Sequence, residues 1–216
     1  SGGAILSDGD AMIRHAQTRR HLLKNLALPA LAGGMLAACA GEDAEVGAVE
    51  DLMREHGILR RIVLAFRESA ATMRQGKAVA AFPLADAASL FRSFGEEYHE
   101  KMLEEAHIFP RLRQETSPAA AMVDTLIAQH DRGRQITDYI LATTRRGIGT
   151  GDVAPLSAAF DSFERMYAHH TAREDTIIFP AWKRMLSDRE LSEMGETFED
   201  IEKRQFGTDG FDMAAR

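Results

Sequence analysis

Residues 98–110 read Tyr-His-Glu-Lys-Met-Leu-Glu-Glu-Ala-His-Ile-Phe-Pro, with His99, Glu100, Glu104 and Glu105 ahead of an Ile-Phe-Pro ending. Residues 168–180 read Ala-His-His-Thr-Ala-Arg-Glu-Asp-Thr-Ile-Ile-Phe-Pro, with His169, His170, Glu174 and Asp175 ahead of the same ending. Upstream of each cluster stands a lone histidine: His56 in REHGILRRI and His130 in AQHDRGRQI, each followed by arginine at +4 (Arg60, Arg134) and isoleucine at +6 (Ile62, Ile136). His56 and His130 are 74 residues apart, Glu104 and Glu174 are 70 apart, so one pattern occurs twice in one order. Two helical hairpins, each giving a histidine from its first helix and a histidine plus carboxylate from its second, would close a cage for two metal ions. A lone helical histidine is ordinarily a surface or hydrogen-bonded interior residue. Here two histidine positions and a glutamate position recur together, and that is what points to metal.

The chain around these clusters reads as helix. Apolar residues recur at three- and four-residue steps from Val49 to Arg74 (Leu52, Leu59, Ile62, Val63, Phe66) and from Leu84 to Gln114 (Leu90, Phe91, Phe94, Met102, Leu103). Further helices are expected over Pro118 to Arg146, after the Thr116-Ser117 cap, and over Leu156 to Leu186. Breaks fall at Gly76 with Pro83, at Thr116-Ser117-Pro118 and at Gly147-Ile148-Gly149-Thr150-Gly151. Ser187-Asp188-Arg189-Glu190 is a capping box opening a shorter fifth helix to about Lys203. The expected fold is all-α: an up-down-up-down four-helix bundle with a short fifth C-terminal helix, an arrangement that hosts metals between facing helices. Pro110 and Pro180 each remove a backbone donor and should kink or loosen their helices. Met53, Met102, Met122, Met166 and Met185 read as core filler.

Within the clusters the geometry leaves choices. His170 and Glu174 are four apart and share a helical face. His99 and Glu104 are five apart, about 140° round a regular helix. Either a π-bulge brings them together, or Glu100, four before Glu104, takes part. Aligning the Ile-Phe-Pro endings matches His99 with His169, although geometry favours His170. His107, three after Glu104, is a reserve ligand.

Composition narrows the chemistry. The 216 residues are 45% hydrophobic and 27% charged, enough for one domain with a buried core, and a formal charge of −7 argues against a nucleic-acid partner. One cysteine, Cys39, excludes an internal disulfide and a thiolate-rich metal site. No phosphate loop follows Gly147 to Gly151, and no Gly-x-Ser-x-Gly elbow occurs. Arg19-Arg20 followed by Leu22-Leu23-Lys24, an apolar run from Leu26 to Ala38 and then Leu36-Ala37-Ala38-Cys39 have the layout of a secretory signal. The run is shorter than the roughly 20 residues that span a bilayer. It resembles a twin-arginine export signal joined to a bacterial lipobox, which places the protein at the cell envelope, on the periplasmic side, lipid-anchored at Cys39. One acyl chain holds only marginally, so stable anchoring calls for more than one. The expected organisation is residues 1–39 as upstream residues (to Ala11) and export signal, 40–48 as an acidic tether, 49–206 as the metal-binding bundle and 207–216 as a tail.

With its Phe-Pro after each carboxylate group, the pattern His…His-x₄-Glu…His…His-x₃-Glu resembles the hemerythrin family, in its bacterial HHE cation-binding branch, over roughly Val49 to Phe206. The resemblance implies a four-helix bundle around a carboxylate-bridged pair of non-haem iron ions, with manganese or zinc as alternatives. It implies His56, His99, His130 and His170 as terminal ligands and Glu104 and Glu174 as bridges. Oxygen-carrying members have a second histidine four residues along the third helix, where this chain has Arg134. The resemblance therefore points less to a carrier than to relatives that sense or handle iron, oxygen or nitric oxide. The leading expectation is a binding protein for oxygen, nitric oxide or peroxide, or an iron store. The alternatives are a di-iron enzyme acting on those molecules and a metal-free interaction module. Tyr98, Tyr139 and Tyr167 are candidates for orienting the ligands.

Overall fold

The computed structural model describes residues 46–216. The expected export signal and most of the acidic tether lie outside the described residues. Helix α1 spans Ala48–Arg74, and the chain leaves it through Gly76 at φ +72°, a left-handed turn that side chains strain. Helix α2 (Ala81–Leu90) holds Pro83 in its first turn, where a missing N–H costs nothing. It continues unbroken into a π-helical stretch, Phe91–Ile108, and then α3 (Phe109–Leu112). Ser117 Oγ accepts from the Ala120 N–H (3.1 Å) and starts the turn Ala120–Met122 that leads into α4 (Val123–Arg145). Helix α5 (Val153–Arg173) passes into a second π turn, Glu174–Ile178, and α6 (Phe179–Arg184). Among the described residues there is no strand, and no helix is long and apolar enough to cross a membrane.

The Phe-Pro pairs loosen their helices in one defined way. Pro110 and Pro180 lack an N–H, and just upstream the ladder is shifted by one residue: Phe109 N–H donates to the Glu104 carbonyl and Phe179 N–H to that of Glu174. This i→i−5 pattern brings residues five apart onto one face.

Helix α1 packs along α5, α2 packs on α4, α4 on α5, and the first π stretch touches both α1 and α4. Gly95 permits the close approach of that stretch to α1, since a Cβ there would stand 2.9 Å from Leu59 Cδ2. Buried apolar side chains form one continuous core, including stacked Phe66 and Phe160 (ring centroids 4.9 Å) with Phe91 and Phe163 edge to face (4.8 Å).

Helix α7 (Asp188–Phe206) begins on the expected capping box: Glu190 N–H donates to Ser187 Oγ and Ser187 N–H to Glu190 Oε2. It ends at Gly207 (φ +71°) and packs across α1 and the first π stretch. Residues 207–216, expected as a tail, instead contain a short helix α8 (Gly210–Ala215). Asp209 caps it, Glu202 accepts from the Phe211 N–H (2.9 Å), and the Arg54 guanidinium lies 4.1 Å from the Phe211 ring centre. Met53 is exposed rather than core; Met102, Met122, Met166 and Met185 pack against the core, partly buried.

Candidate metal centre

Four imidazoles and two carboxylates meet inside the helical core: His56 from α1, His99 and Glu104 from the first π stretch, His130 from α4, His170 from α5, and Glu174 from the second π turn. None is more than 3% exposed. The histidines form two pairs, with Nε2 atoms 3.0 Å apart for His56 and His99 and 3.1 Å apart for His130 and His170. Each glutamate reaches both pairs. Glu104 places Oε1 3.5 Å from His99 Nε2 and Oε2 3.2 Å from His130 Nε2; Glu174 places Oε2 3.4 Å from His56 Nε2 and Oε1 3.1 Å from His170 Nε2. The five-residue step from His99 to Glu104 closes because both lie in the π stretch.

Behind every imidazole stands one acceptor. His56 Nδ1 faces Asp175 Oδ1 at 2.7 Å, His99 Nδ1 faces Glu55 Oε2 at 2.5 Å, His130 Nδ1 faces Glu105 Oε1 at 2.8 Å, and His170 Nδ1 faces Gln129 Oε1 at 3.1 Å. Since each acceptor is an oxygen, the ring proton belongs on Nδ1, and the Nε2 lone pair is turned inward. Arg60 in turn holds Asp175, Arg134 Nη2 holds Glu105 at 2.5 Å, and the Tyr98 hydroxyl donates to Glu55 Oε1 at 3.0 Å. Phe179 stacks on His56 (5.4 Å) and Phe109 on His130 (5.6 Å), so the phenylalanine of each Ile-Phe-Pro packs on the lone histidine of the other hairpin.

The donor set fits a metal centre. All four oxygens of Glu104 and Glu174 are buried and accept no well-directed hydrogen bond, and they face imidazole lone pairs. Buried acceptors with no donor are costly, and only protons or metal ions offset such a concentration of lone pairs. One ligand atom each from Glu104, His130, His170 and Glu174 lie within 4.8 Å of one another, as do those of His56, His99 and Glu104.

The proton affinities carry the same imprint. Burial disfavours the charged form of His99, but Glu104 and Glu55 prevail and raise its pKa well above the ordinary 6.5. His130 is also raised well above 6.5 against its burial, by Glu100, Glu104, Glu105 and Glu174. His56 is raised by Asp175 and Glu174, again against burial. Burial wins at His170, which falls to about 4. His130 and His170 shift in opposite directions although their Nε2 atoms face each other. At His130 the surrounding carboxylates prevail over burial, whereas at His170 burial prevails over Glu174 and the Gln129 amide behind the ring supplies no charge. Glu104 is held below the usual carboxylate range: burial opposes this, and His99 and His130 overcome it.

The remaining candidates lie outside this cage. Glu100 is buried on the His130 side, 3.4 Å from Arg134 Nη2, in an outer group with Glu105 and His130. His107 packs on Phe198 (5.7 Å) and belongs to none of the His/Glu groups whose ligand atoms converge, and His169 is exposed. Tyr98 orients Glu55, and Tyr167 packs against His56 and His170 (6.4 and 5.9 Å), whereas Tyr139 is a surface residue and holds nothing in the cage. Sequence reasoning overlooked Glu55 and Gln129. Their signal was position: each immediately precedes a lone histidine and thereby meets the other histidine of its own hairpin.

The family model of the hemerythrin HHE cation-binding domain matches residues 47–182, which contain every side chain of the cage. The chain belongs to the hemerythrin HHE cation-binding family. Uncharacterized proteins of Mycobacterium bovis and Mycobacterium tuberculosis are 39% identical to it over 212 residues, 89% of this chain and 81% of each relative. No solved structure matches it. Hemerythrin membership implies a metal cofactor, with iron the metal it suggests, and the His/Glu groups of the cage are able to hold one.

Proposed function

We propose that this hemerythrin-family chain is a non-haem di-iron protein, built as an up-down-up-down four-helix bundle, that binds oxygen, nitric oxide or peroxide, or sequesters iron. In this reading His56 and His99 would hold one ion and His130 and His170 the other, with Glu104 and Glu174 supplying carboxylate oxygens to both. The observation that carries it is the set of four buried glutamate oxygens without donors, each facing inward-turned imidazole nitrogen. Iron would supply reversible binding or redox chemistry towards a small molecule; manganese or zinc would fit the same nitrogen and oxygen donors. The chain's own work is orientation. Asp175, Glu55, Glu105 and Gln129 fix the imidazole tautomers, Arg60 and Arg134 hold two of those acceptors, and Phe109 and Phe179 pin the rings.

The test is anaerobic ferrous loading of the protein, followed by exposure to oxygen, nitric oxide and peroxide in turn. A binding protein gives a spectral change that reverses on degassing, without net consumption of the molecule. Steady turnover of peroxide, oxygen or nitric oxide supports the enzyme reading instead. That alternative draws on Arg134 and Glu100, which put a charged pair beside His130 where oxygen carriers have a fifth histidine.

The export reading belongs to the same proposal: a lipid at Cys39 would hold the bundle at the envelope, outside the inner membrane. It rests on the order of Arg19-Arg20, the apolar run and Leu36-Ala37-Ala38-Cys39. Incorporation of labelled fatty acid that a Cys39→Ser variant loses supports it; equal labelling of the two excludes it.

A further inference from the structure

The two metal positions share both glutamates and have two histidines each, yet the groups behind those histidines differ at one place. His56 and His130 are matched, since each donates to a carboxylate held by an arginine (Asp175 with Arg60, Glu105 with Arg134). His99 and His170 are not matched. His99 donates at 2.5 Å to Glu55, a carboxylate 1% exposed whose other oxygen accepts from Tyr98, and among the described residues no lysine or arginine lies within ion-pair distance of it. His170 donates at 3.1 Å to the half-buried amide of Gln129. We propose that Glu55 makes the His56–His99 position the tighter of the two, so that it fills first and the His130–His170 position fills second and empties first.

The physical cause is the strength of the hydrogen bond behind the ligand. A buried carboxylate draws the Nδ1 proton more strongly than an amide does and makes Nε2 a better donor to a cation. Its negative charge, unscreened by water or a cation, also favours the metal charge at that position. Glu100 adds a carboxylate on the His130 side. It is hydrogen-bonded to no imidazole, so it favours charge at His130 through space alone, partly offset by Arg134, and does not strengthen a ligand nitrogen as Glu55 does. Glu55 is thus a positioning residue acting through His99, and the inference rests on the two-metal reading above.

Calorimetric titration of metal-stripped full chain with zinc tests it. Sharing two bridging carboxylates produces two unequal steps even for identical positions, so stepwise binding alone decides nothing. The deciding result is which step Glu55→Gln moves. If the His56–His99 position is intrinsically tighter, Glu55→Gln weakens the first step by about tenfold or more, within the ~10–100-fold typical of losing a group behind a metal ligand. Gln129→Glu then tightens the second step. If the two positions are equal, Glu55→Gln leaves the first ion to bind at His130 and His170 with at most a twofold loss, and weakens only the second step. That pattern, or a first step weakened by Glu100→Gln instead, overturns the inference and leaves the two-metal reading standing. A metal-stripped wild type that folds and binds no ion overturns both. Unchanged helicity and melting of the metal-free variants separate loss of affinity from loss of fold.

Discussion

The phenylalanine layer and the histidine–glutamate cage occupy neighbouring parts of one core, and both are shut away from water. Phe66, Phe91, Phe160 and Phe163 bury only carbon, and their packing stabilises the fold whether or not an ion is bound. The cage buries four imidazoles and two carboxylates, which resist leaving water and are tolerated only when protons or metals balance them. Tyr167 forms the border, edge-on to Phe91 at 5.3 Å and within 6.4 Å of His56. One region makes the protein fold, and the other gives it something to do. Their responses to mutation should differ accordingly.

The largest effect is expected in the apolar layer. Phe66→Ala should cost about 3–5 kcal/mol of unfolding free energy in chemical denaturation, through lost burial and the cavity left behind. The metal count per folded molecule should stay as in the wild type. Equal damage to metal binding would break the separation between the two regions.

Glu174→Gln should act chiefly on the metal. Burial and Glu104 oppose the Glu174 charge, but His170, His130 and His56 outweigh them and hold its pKa below the usual carboxylate range, so the metal-free protein should melt at a somewhat lower temperature. Metal affinity should fall by more than the ~10–100-fold typical of a group behind a ligand, because on the proposed reading the lost group is itself a ligand. Melting curves with and without metal distinguish this from simple misfolding.

Arg134→Gln comes next, with a loss of about tenfold in metal affinity, since Arg134 holds the Glu105 that fixes His130. Arg60→Gln should act alike through Asp175 and His56, and a marked difference between the two would expose an asymmetry beyond Glu55.

The smallest effect is graded with pH. In the metal-free protein, His99 and His130 have pKa values raised above 6.5, so their contribution to stability is complete below 6.5 and is lost as pH rises through the raised values. His170, lowered to about 4, acts the other way and costs stability as pH falls from 6.5 towards 4. Metal must displace the protons on His99 and His130, so affinity should keep climbing above pH 6.5 and binding should release protons there. Titration in buffers of different ionisation enthalpy measures that release; none above pH 6.5 would contradict the assigned charge states.

The two regions also differ in how far the sequence announced them. Three- and four-residue steps from Leu52 to Phe66 announce a helix with a buried face, and Ser187 to Glu190 announces the start of α7, because each signal is local. Recurrence and helical spacing marked the two lone histidines and the two His/Glu clusters, while the set of six came from the resemblance to hemerythrins. Spacing alone did not choose between Glu104 and Glu100, because that depends on the register shift upstream of Pro110. Glu55 and Gln129 escaped notice because a carboxylate or amide beside a helical histidine is ordinarily solvated. Only the packing of α1 on the first π stretch, and of α4 on α5, turns them inward. The capping of α8 by Asp209 was visible in principle, but a six-residue helix has too little periodicity to stand out.

Iron content after anaerobic ferrous loading and removal of unbound metal tests the central claim most directly. Two irons per folded chain, with Glu174→Gln retaining fewer at the same helicity, is the predicted result. A wild-type protein that folds fully and retains no iron would contradict it.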